Sequence, residues 1–317
     1  MRVLIVGAGS VGQLYGFCLQ RGGAAVDVYV REKYADEARQ GYLLYDRKKG
    51  LQDPFRFTPE SVFSTPEELQ AQRFDALILC IPSNRLRGDW FQPFADAIGS
   101  ATFLSLTPGL EDQQFITHFL PEEQVATGLI TSVSYPAPLP GESVDQPGTA
   151  FWFPPLAPAL FQGSSPRLQP LVEALRRGGM KSKIVTDLDA KAGFGSGLLM
   201  PIVATLETVD WSFQNLKAHQ ERIDLMLAAI EENLSLVEAL LDVKRPVFAN
   251  LLSATTLKGA LIAAPKVAPF DLEVYFQLHF TKVGEQTRLF LNDYIRLRET
   301  KAMESPALSQ LLQQLTL

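Results

Sequence analysis

Residues 2–31 read RVLIVGAGSVGQLYGFCLQRGGAAVDVYVR, and this stretch decides the fold. Arg2–Val6 is a short run rich in β-branched residues, which suits a strand, and it ends in Gly7-Ala8-Gly9. Val11, Leu14, Tyr15, Cys18 and Leu19 then fall at helical spacing until Gly22-Gly23 stops the helix. Val26, Val28 and Val30 alternate as a second strand. Strand, glycine turn, helix and strand form the opening half of a doubly wound parallel sheet.

Gly7, Gly9 and Gly12 make the pattern G-x-G-x-x-G, with Gly16 four residues further on. The first glycine permits a tight turn, the second lets the backbone approach a pyrophosphate, and the third lets helix and strand pack closely. With Ala8, Ser10 and Val11 between them, residues 7–12 would turn unpaired N–H groups and the positive end of a helix dipole toward phosphates. The pattern alone is weak. Its position after one strand, at the head of a helix and before a second strand makes it a dinucleotide site.

The end of the second strand separates the possible cofactors. An acid there would bond the ribose 2′-hydroxyl of NAD or FAD, whereas a base can neutralise the 2′-phosphate of NADP. Here the chain reads Val30-Arg31-Glu32-Lys33. Arg31, with its planar fork of donors, is expected on the phosphate with Lys33 beside it, so NADP is the expected cofactor. Glu32 turned inward would favour NAD, and a solvated charge run is the remaining alternative.

Working outward, Asp75–Ile81 (DALILCI), Ala101–Leu106 (ATFLSL) and Gln124–Ser134 read as further parallel strands, because nearly continuous apolar runs suit a sheet covered on both faces. Strands at Thr149–Phe153 and Ser182–Val185 flank a helix starting near Pro166, and the proline-rich segment Pro136–Pro170 leaves the early rhythm. From about Asp187 helical patterns take over, through Leu206, Leu225–Leu241, Pro246–Leu261 and Asp271–Leu297, with a short final helix near Pro306–Leu315. The expected fold class is α/β: a Rossmann-type doubly wound, mostly parallel sheet in residues 1–185, followed by an all-helical domain in residues 186–317.

A chain of 317 residues is long enough for two such domains. The net charge is −6, and from Lys181 onward 14 Lys/Arg face 16 Asp/Glu, so neither half is a basic module and no nucleic-acid partner is expected. The longest charge-free apolar run, around Gly193–Leu206, is too short for a bilayer and contains Pro201, so no membrane segment is expected. Cys18 and Cys80 sit in an apparent helix and an apparent strand and read as core thiols. With a strand directly after Met1, no leader and a cytoplasmic location are expected. His118, His219 and His279 are scattered without supporting cysteines or carboxylates, so no metal is expected.

Arg2–Gly12, the strand ending in Arg31, and the hairpin-like GYLLYDRKKG (residues 41–50) together resemble the ketopantoate reductase family. So does the switch to a helical domain near residue 187. The resemblance covers the full length in architecture, with its specific motifs concentrated in the first domain. It implies an NADPH-dependent reductase of a 2-oxo acid, a cleft between the domains, a cytoplasmic enzyme and a homodimer. Several positions depart from the family's pattern. Its Asn-Gly after the strand at Ala101–Leu106 is Pro108-Gly109 here. Its catalytic lysine aligns with Ala192 when anchored on Pro201, or with Gly195 when anchored on Leu188 and Ala190, and Lys191 neighbours the first. The family's C-terminal acid aligns with Gln286, beside Glu285, and a lysine after its fourth strand aligns with Pro82. The cofactor half is retained and the substrate half rebuilt, so the expected substrate is a small-molecule carbonyl compound other than ketopantoate.

Reducing a carbonyl takes a hydride, a cation or acid near the carbonyl oxygen, and a clamp for the substrate. The densest polar grouping is LHFTKVGEQTR at residues 278–288. Read as one helix, it places His279, Lys282 and Gln286 at i, i+3 and i+7 on one face. Lys282 or His279 would donate the proton to the nascent alkoxide, and Gln286 would orient the substrate. The alternative is a solvated face formed by Lys282, Glu285 and Arg288. Lys191 is the second candidate for the cation. A rival of a different class, a non-catalytic NADP(H)-binding sensor or partner-docking protein, follows from the same retained glycines and missing lysine.

Overall fold

The computed structural model describes residues 1–107, 110–282 and 284–315, apart from the side chains of residues 84, 110, 111, 165, 248 and 286. The chain divides into two compact units, Met1–Leu188 and Asp189–Leu317.

The first unit runs β1 (Arg2–Val6), α1 (Ser10–Arg21), β2 (Ala25–Tyr29), α2 (Ala35–Gln40), β3 (Tyr42–Asp46), β4 (Phe55–Phe57), β5 (Val62–Phe63), α3 (Pro66–Leu69) and β6 (Ala76–Leu79). It continues through α4 (Phe91–Ile98), β7 (Thr102–Ser105), α5 (Leu110–Phe119), β8 (Val125–Leu129), β9 (Val133–Ala137), β10 (Gly148–Trp152), β11 (Ala159–Gln162), α6 (Ser165–Arg177) and β12 (Ser182–Ile184). Eight strands form one sheet in the order β12-β11-β8-β7-β6-β1-β2-β5, parallel throughout except where β11 meets β8. This is the expected Rossmann-type, doubly wound sheet. Alternation along β1 explains its two covered faces: Val3 and Ile5 join a core with α1 and α6, while Leu4 and Val6 join a second with α4 and α5.

A separate four-stranded sheet, ordered β4-β3-β10-β9, packs on α1. Gly16 makes room for it, since a Cβ there would lie 2.5 Å from the Phe57 ring of β4. Residues 41–50, read as hairpin-like, hold β3 and the turn after it; the antiparallel partner is β4, beyond that range at Phe55–Phe57. Two other readings are corrected. Gln124–Ser134 is not one strand but β8 and the start of β9, which lie in different sheets. Thr149–Phe153 supplies β10 of the small sheet rather than a strand of the large one. The proline-rich excursion thus supplies β10 and the end of β9 to the small sheet and β11 to the large one.

The second unit is helical: α7 (Leu188–Glu207), α8 (Phe213–Ala218), α9 (Gln220–Leu241), α10 (Ala254–Val267), α11 (Leu272–Lys282), α12 (Gly284–Thr300) and α13 (Pro306–Gln314). Pro201 sits inside α7 and cannot donate to the carbonyl four residues back; Asn233 Nδ2 of α9 bonds that Gly197 carbonyl instead, at 3.2 Å. The helix therefore continues through the proline. Glu232 of α9 accepts from the Ala307 and Leu308 N–H groups at 2.8 and 2.9 Å, placing an anion at the N-terminus of α13. Among the described residues no helix is long and apolar enough to cross a membrane.

Candidate functional site

The large sheet reverses its winding between β1 and β6, the place where an open α/β sheet leaves a crevice at its carboxyl edge. Gly7-Ala8-Gly9 leaves β1 at that edge. Gly7 has φ of +91°, and a Cβ on it would lie 2.6 Å from Ile81 Cγ2 beyond β6, so both conformation and space require glycine. Its N–H donates to the Tyr29 carbonyl at 2.9 Å, which ties the turn to the end of β2. Gly12 meets the turn from the helix side, since a Cβ there would lie 2.0 Å from the Gly7 carbonyl oxygen. Gly9 is different: nothing lies within 4 Å of the position of its missing Cβ.

Gly9 is also the N-cap of α1, and no side chain caps that end. The N–H groups of the first turn have no carbonyl four residues back, and the peptide dipoles of α1 sum to a positive end here. An open, uncapped, glycine-lined helix start fits a pyrophosphate, and the donors available are the backbone N–H groups of residues 8–12.

Arg31 and Lys33 lie two and four residues beyond the end of β2, on the exposed surface. Arg31 donates to Tyr34 Oη at 3.2 Å and lies over the Tyr34 ring at 5.1 Å, and Lys33 Nζ lies 4.9 Å from the same ring centroid. Hydrogen bonding and charge from Lys33, with help from Arg31, hold the Tyr34 phenol below its ordinary pKa. The three side chains form a basic cluster with an aromatic platform, suited to a phosphate monoester beside a stacked base. Glu32 is exposed in the same short turn. Tyr34 escaped the sequence reading, although its position directly after the Arg-Glu-Lys run was visible.

Behind the loop, Gln13 Nε2 donates to the Ala8 carbonyl at 2.9 Å, and Thr149 Oγ1 of β10 donates to Gln13 Oε1 at 2.6 Å. At the end of β7, buried Ser105 and Thr107 join their hydroxyls at 2.7 Å. Pro108 and Gly109, where the family's Asn-Gly aligns, lie outside the described residues. Cys18 is buried and Cys80 partly so; burial pushes the Cys18 thiol up to about 12 and raises Cys80 further. Both thiols stay protonated and unreactive at neutral pH.

The catalytic candidates all lie in the second unit. Lys191 is exposed early in α7. His279 and Lys282 are in α11. His279 stacks on Tyr275 with ring centroids 5.3 Å apart and meets Phe280 edge-on at 4.8 Å. Its outer edge is exposed, but crowding of the ring and the charge of Lys282 hold the imidazole below its ordinary pKa. The single-helix reading of 278–288 passes through Val283, which lies outside the described residues; helix is present on both sides of it, up to Lys282 in α11 and from Gly284 in α12. The Gln286 side chain lies outside the described residues. Arg288 is bound into the fold, donating to Glu207 Oε1 at 2.6 Å and to the Leu315 carbonyl at 2.7 Å. Among the described residues, no three His, Cys, Asp or Glu side chains converge as metal ligands would.

Residues 3–154 match the family model described as ketopantoate reductase PanE/ApbA. The match lies within the first unit and spans just under half of the chain. No curated protein matches the chain in sequence. Solved structures similar to it include a ternary structure of D-mandelate dehydrogenase with NADH and anilino(oxo)acetate, at 13% identity over 100% of this chain and 97% of that one, TM-score 0.74. A 2-dehydropantoate 2-reductase from Geobacter metallireducens GS-15 is 15% identical over 100% and 99%, TM-score 0.71. A PanE/ApbA family ketopantoate reductase from Ralstonia eutropha JMP134 is 18% identical over 100% and 97%, TM-score 0.70. At such identities these likenesses establish a shared fold.

Proposed function

We propose that the chain is an NADP(H)-dependent oxidoreductase that reduces the carbonyl of a small, 2-oxo-acid-like molecule other than ketopantoate. The observation that carries this reading is the open, uncapped start of α1 at the sheet's switch point, with Arg31 just beyond the neighbouring strand. Residues 1–185 bind the dinucleotide in this reading, and residues 186–317 supply the groups that act on the substrate. Gly7, Ala8, Gly9, Ser10, Val11 and Gly12 hold the pyrophosphate through backbone N–H groups, while Arg31 and Lys33 hold the 2′-phosphate. When bound, a nicotinamide dinucleotide supplies the hydride for carbonyl reduction.

Lys282 is assigned the proton that reaches the nascent alkoxide, with Lys191 the alternative cation. His279, held below its ordinary pKa, is neutral at pH 7 and serves as a hydrogen-bond donor rather than the acid. Gln286 orients the substrate. The D-mandelate dehydrogenase and 2-dehydropantoate 2-reductases of the same fold support a 2-oxo or 2-hydroxy acid as the substrate class. The assembly is a cytoplasmic homodimer in this reading.

NADPH consumption across a panel of 2-oxo acids tests the proposal. Turnover of at least one acid, abolished by Lys282→Ala, is expected. NADPH binding without turnover of any carbonyl would replace it with the non-catalytic NADP(H)-binding protein, a reading favoured by Ala192 and Gly195 at the two alignments of the family lysine.

A further inference from the structure

We propose that Gln13, locked by Thr149, is a positioning residue that sets the phosphate-binding orientation of the Ala8–Gly9 peptide; this rests on the dinucleotide reading of the loop. Gln13 is the fourth residue of α1 after the Gly9 cap, and its backbone N–H makes the first helical bond, to the Gly9 carbonyl at 2.9 Å. Helical side chains lean back toward the N-terminus, so Gln13 reaches the loop that precedes its own helix. Its Nε2 captures the Ala8 carbonyl at 2.9 Å. In a trans peptide the C=O and the following N–H point in opposite directions. Holding the Ala8 oxygen against the buried Gln13 therefore turns the Gly9 N–H away from Gln13, on a residue whose missing Cβ would meet nothing within 4 Å. It also withdraws a carbonyl dipole that would repel a phosphate.

The amide would be free to rotate if nothing held its oxygen. Thr149 Oγ1 bonds it at 2.6 Å, and the two residues are only 9% and 3% exposed. Thr149 belongs to β10, so the small sheet reaches through α1 to the back of the loop. A glutamine in a helix whose neighbours Gly12, Leu14 and Tyr15 are all buried is a costly choice without such partners. Here both ends of its amide are satisfied, and each bond has a consequence for the loop.

The test titrates the full-length protein by calorimetry with NADPH and with adenosine 2′-monophosphate, which carries the 2′-phosphate but no pyrophosphate. Gln13→Leu is expected to weaken NADPH about tenfold, the loss of roughly one well-made hydrogen bond, and to leave adenosine 2′-monophosphate unchanged. Thr149→Val is expected to show a smaller loss of the same kind, and Thr149→Ser, which keeps the hydroxyl, to bind like wild type. Equal weakening of both ligands, or NADPH affinity untouched in Gln13→Leu and Thr149→Val, would overturn the positioning role while leaving the dinucleotide reading intact. Failure of the wild type to bind either ligand would overturn both.

Discussion

Alanine at Gly9 and at Gly12 separates what the loop does for a ligand from what it does for the fold. Gly9 has φ of −72° and ψ of −176°, which alanine adopts freely, and its Cβ would meet nothing within 4 Å. The cost to the free protein is the poorer N-cap, about 0.5–1 kcal/mol, or roughly 2–3 °C in Tm for a unit of this size. Gly12→Ala instead drives a Cβ to 2.0 Å from the Gly7 oxygen and 3.1 Å from Ile5 Cγ2. The first contact requires backbone to move by about 1 Å, at an overpacking cost near 3 kcal/mol, offset by about 1 kcal/mol of helix propensity. The net loss of about 2 kcal/mol lowers Tm by roughly 4–8 °C.

Binding reverses the order. A methyl group at Gly9 stands where the pyrophosphate must approach the backbone, and weakening two charge-assisted N–H···O contacts by about 3 kcal/mol in total raises Kd roughly 100-fold. Differential scanning fluorimetry with calorimetric NADPH titration reads both quantities. Gly9→Ala binding NADPH within about threefold of wild type would refute the close backbone approach. Gly12→Ala melting at the wild-type temperature would refute the packing argument.

Two further substitutions probe buried charge and pH. The fully buried Asp27 carboxylate accepts from Arg2 Nε at 2.6 Å, and its other oxygen has no partner among the described residues. Arg2→Met strands that charge and is expected to cost about 3 kcal/mol in urea unfolding, with Arg2→Met/Asp27→Leu recovering most of it; a single-variant loss below about 1 kcal/mol would contradict this. In the second unit, hydrogen bonds from Arg245 hold the Glu238 carboxyl below its ordinary pKa. A depressed carboxylate contributes stability above its ordinary pKa and loses it as pH falls through the folded value. The Tm gap between wild type and Glu238→Gln should therefore be constant near neutrality and close below about pH 4; a gap widening in acid would contradict the assignment.

The parts of this fold legible in sequence are those where local chemistry leaves one option. Gly7, Gly9 and Gly12 between two β-branched runs specify a turn that only a strand and a helix can flank, and β1, α1 and β2 form accordingly. Alternation along a strand records that one face is buried but not which sheet buries it, so β10 could not be assigned to the small sheet. Nor could the passage from β8 to β9 be seen, because the apolar pattern carries across it. The Gln13–Thr149 bond joins residues 136 positions apart, and its trace in the sequence was a polar residue within the otherwise apolar stretch Val11–Leu19 of α1.

The central claim is that an open helix start holds a pyrophosphate while Arg31 selects the extra phosphate. Quenching of tryptophan fluorescence during separate titrations with NADPH and NADH, in wild type and in Arg31→Ala, tests it most directly. The account predicts NADPH binding about tenfold or more tighter than NADH in wild type, as expected for charge-assisted bonds to a phosphate, and near-equal affinities in Arg31→Ala. Absence of binding by either nucleotide, or an NADPH preference that survives loss of the guanidinium, would contradict it.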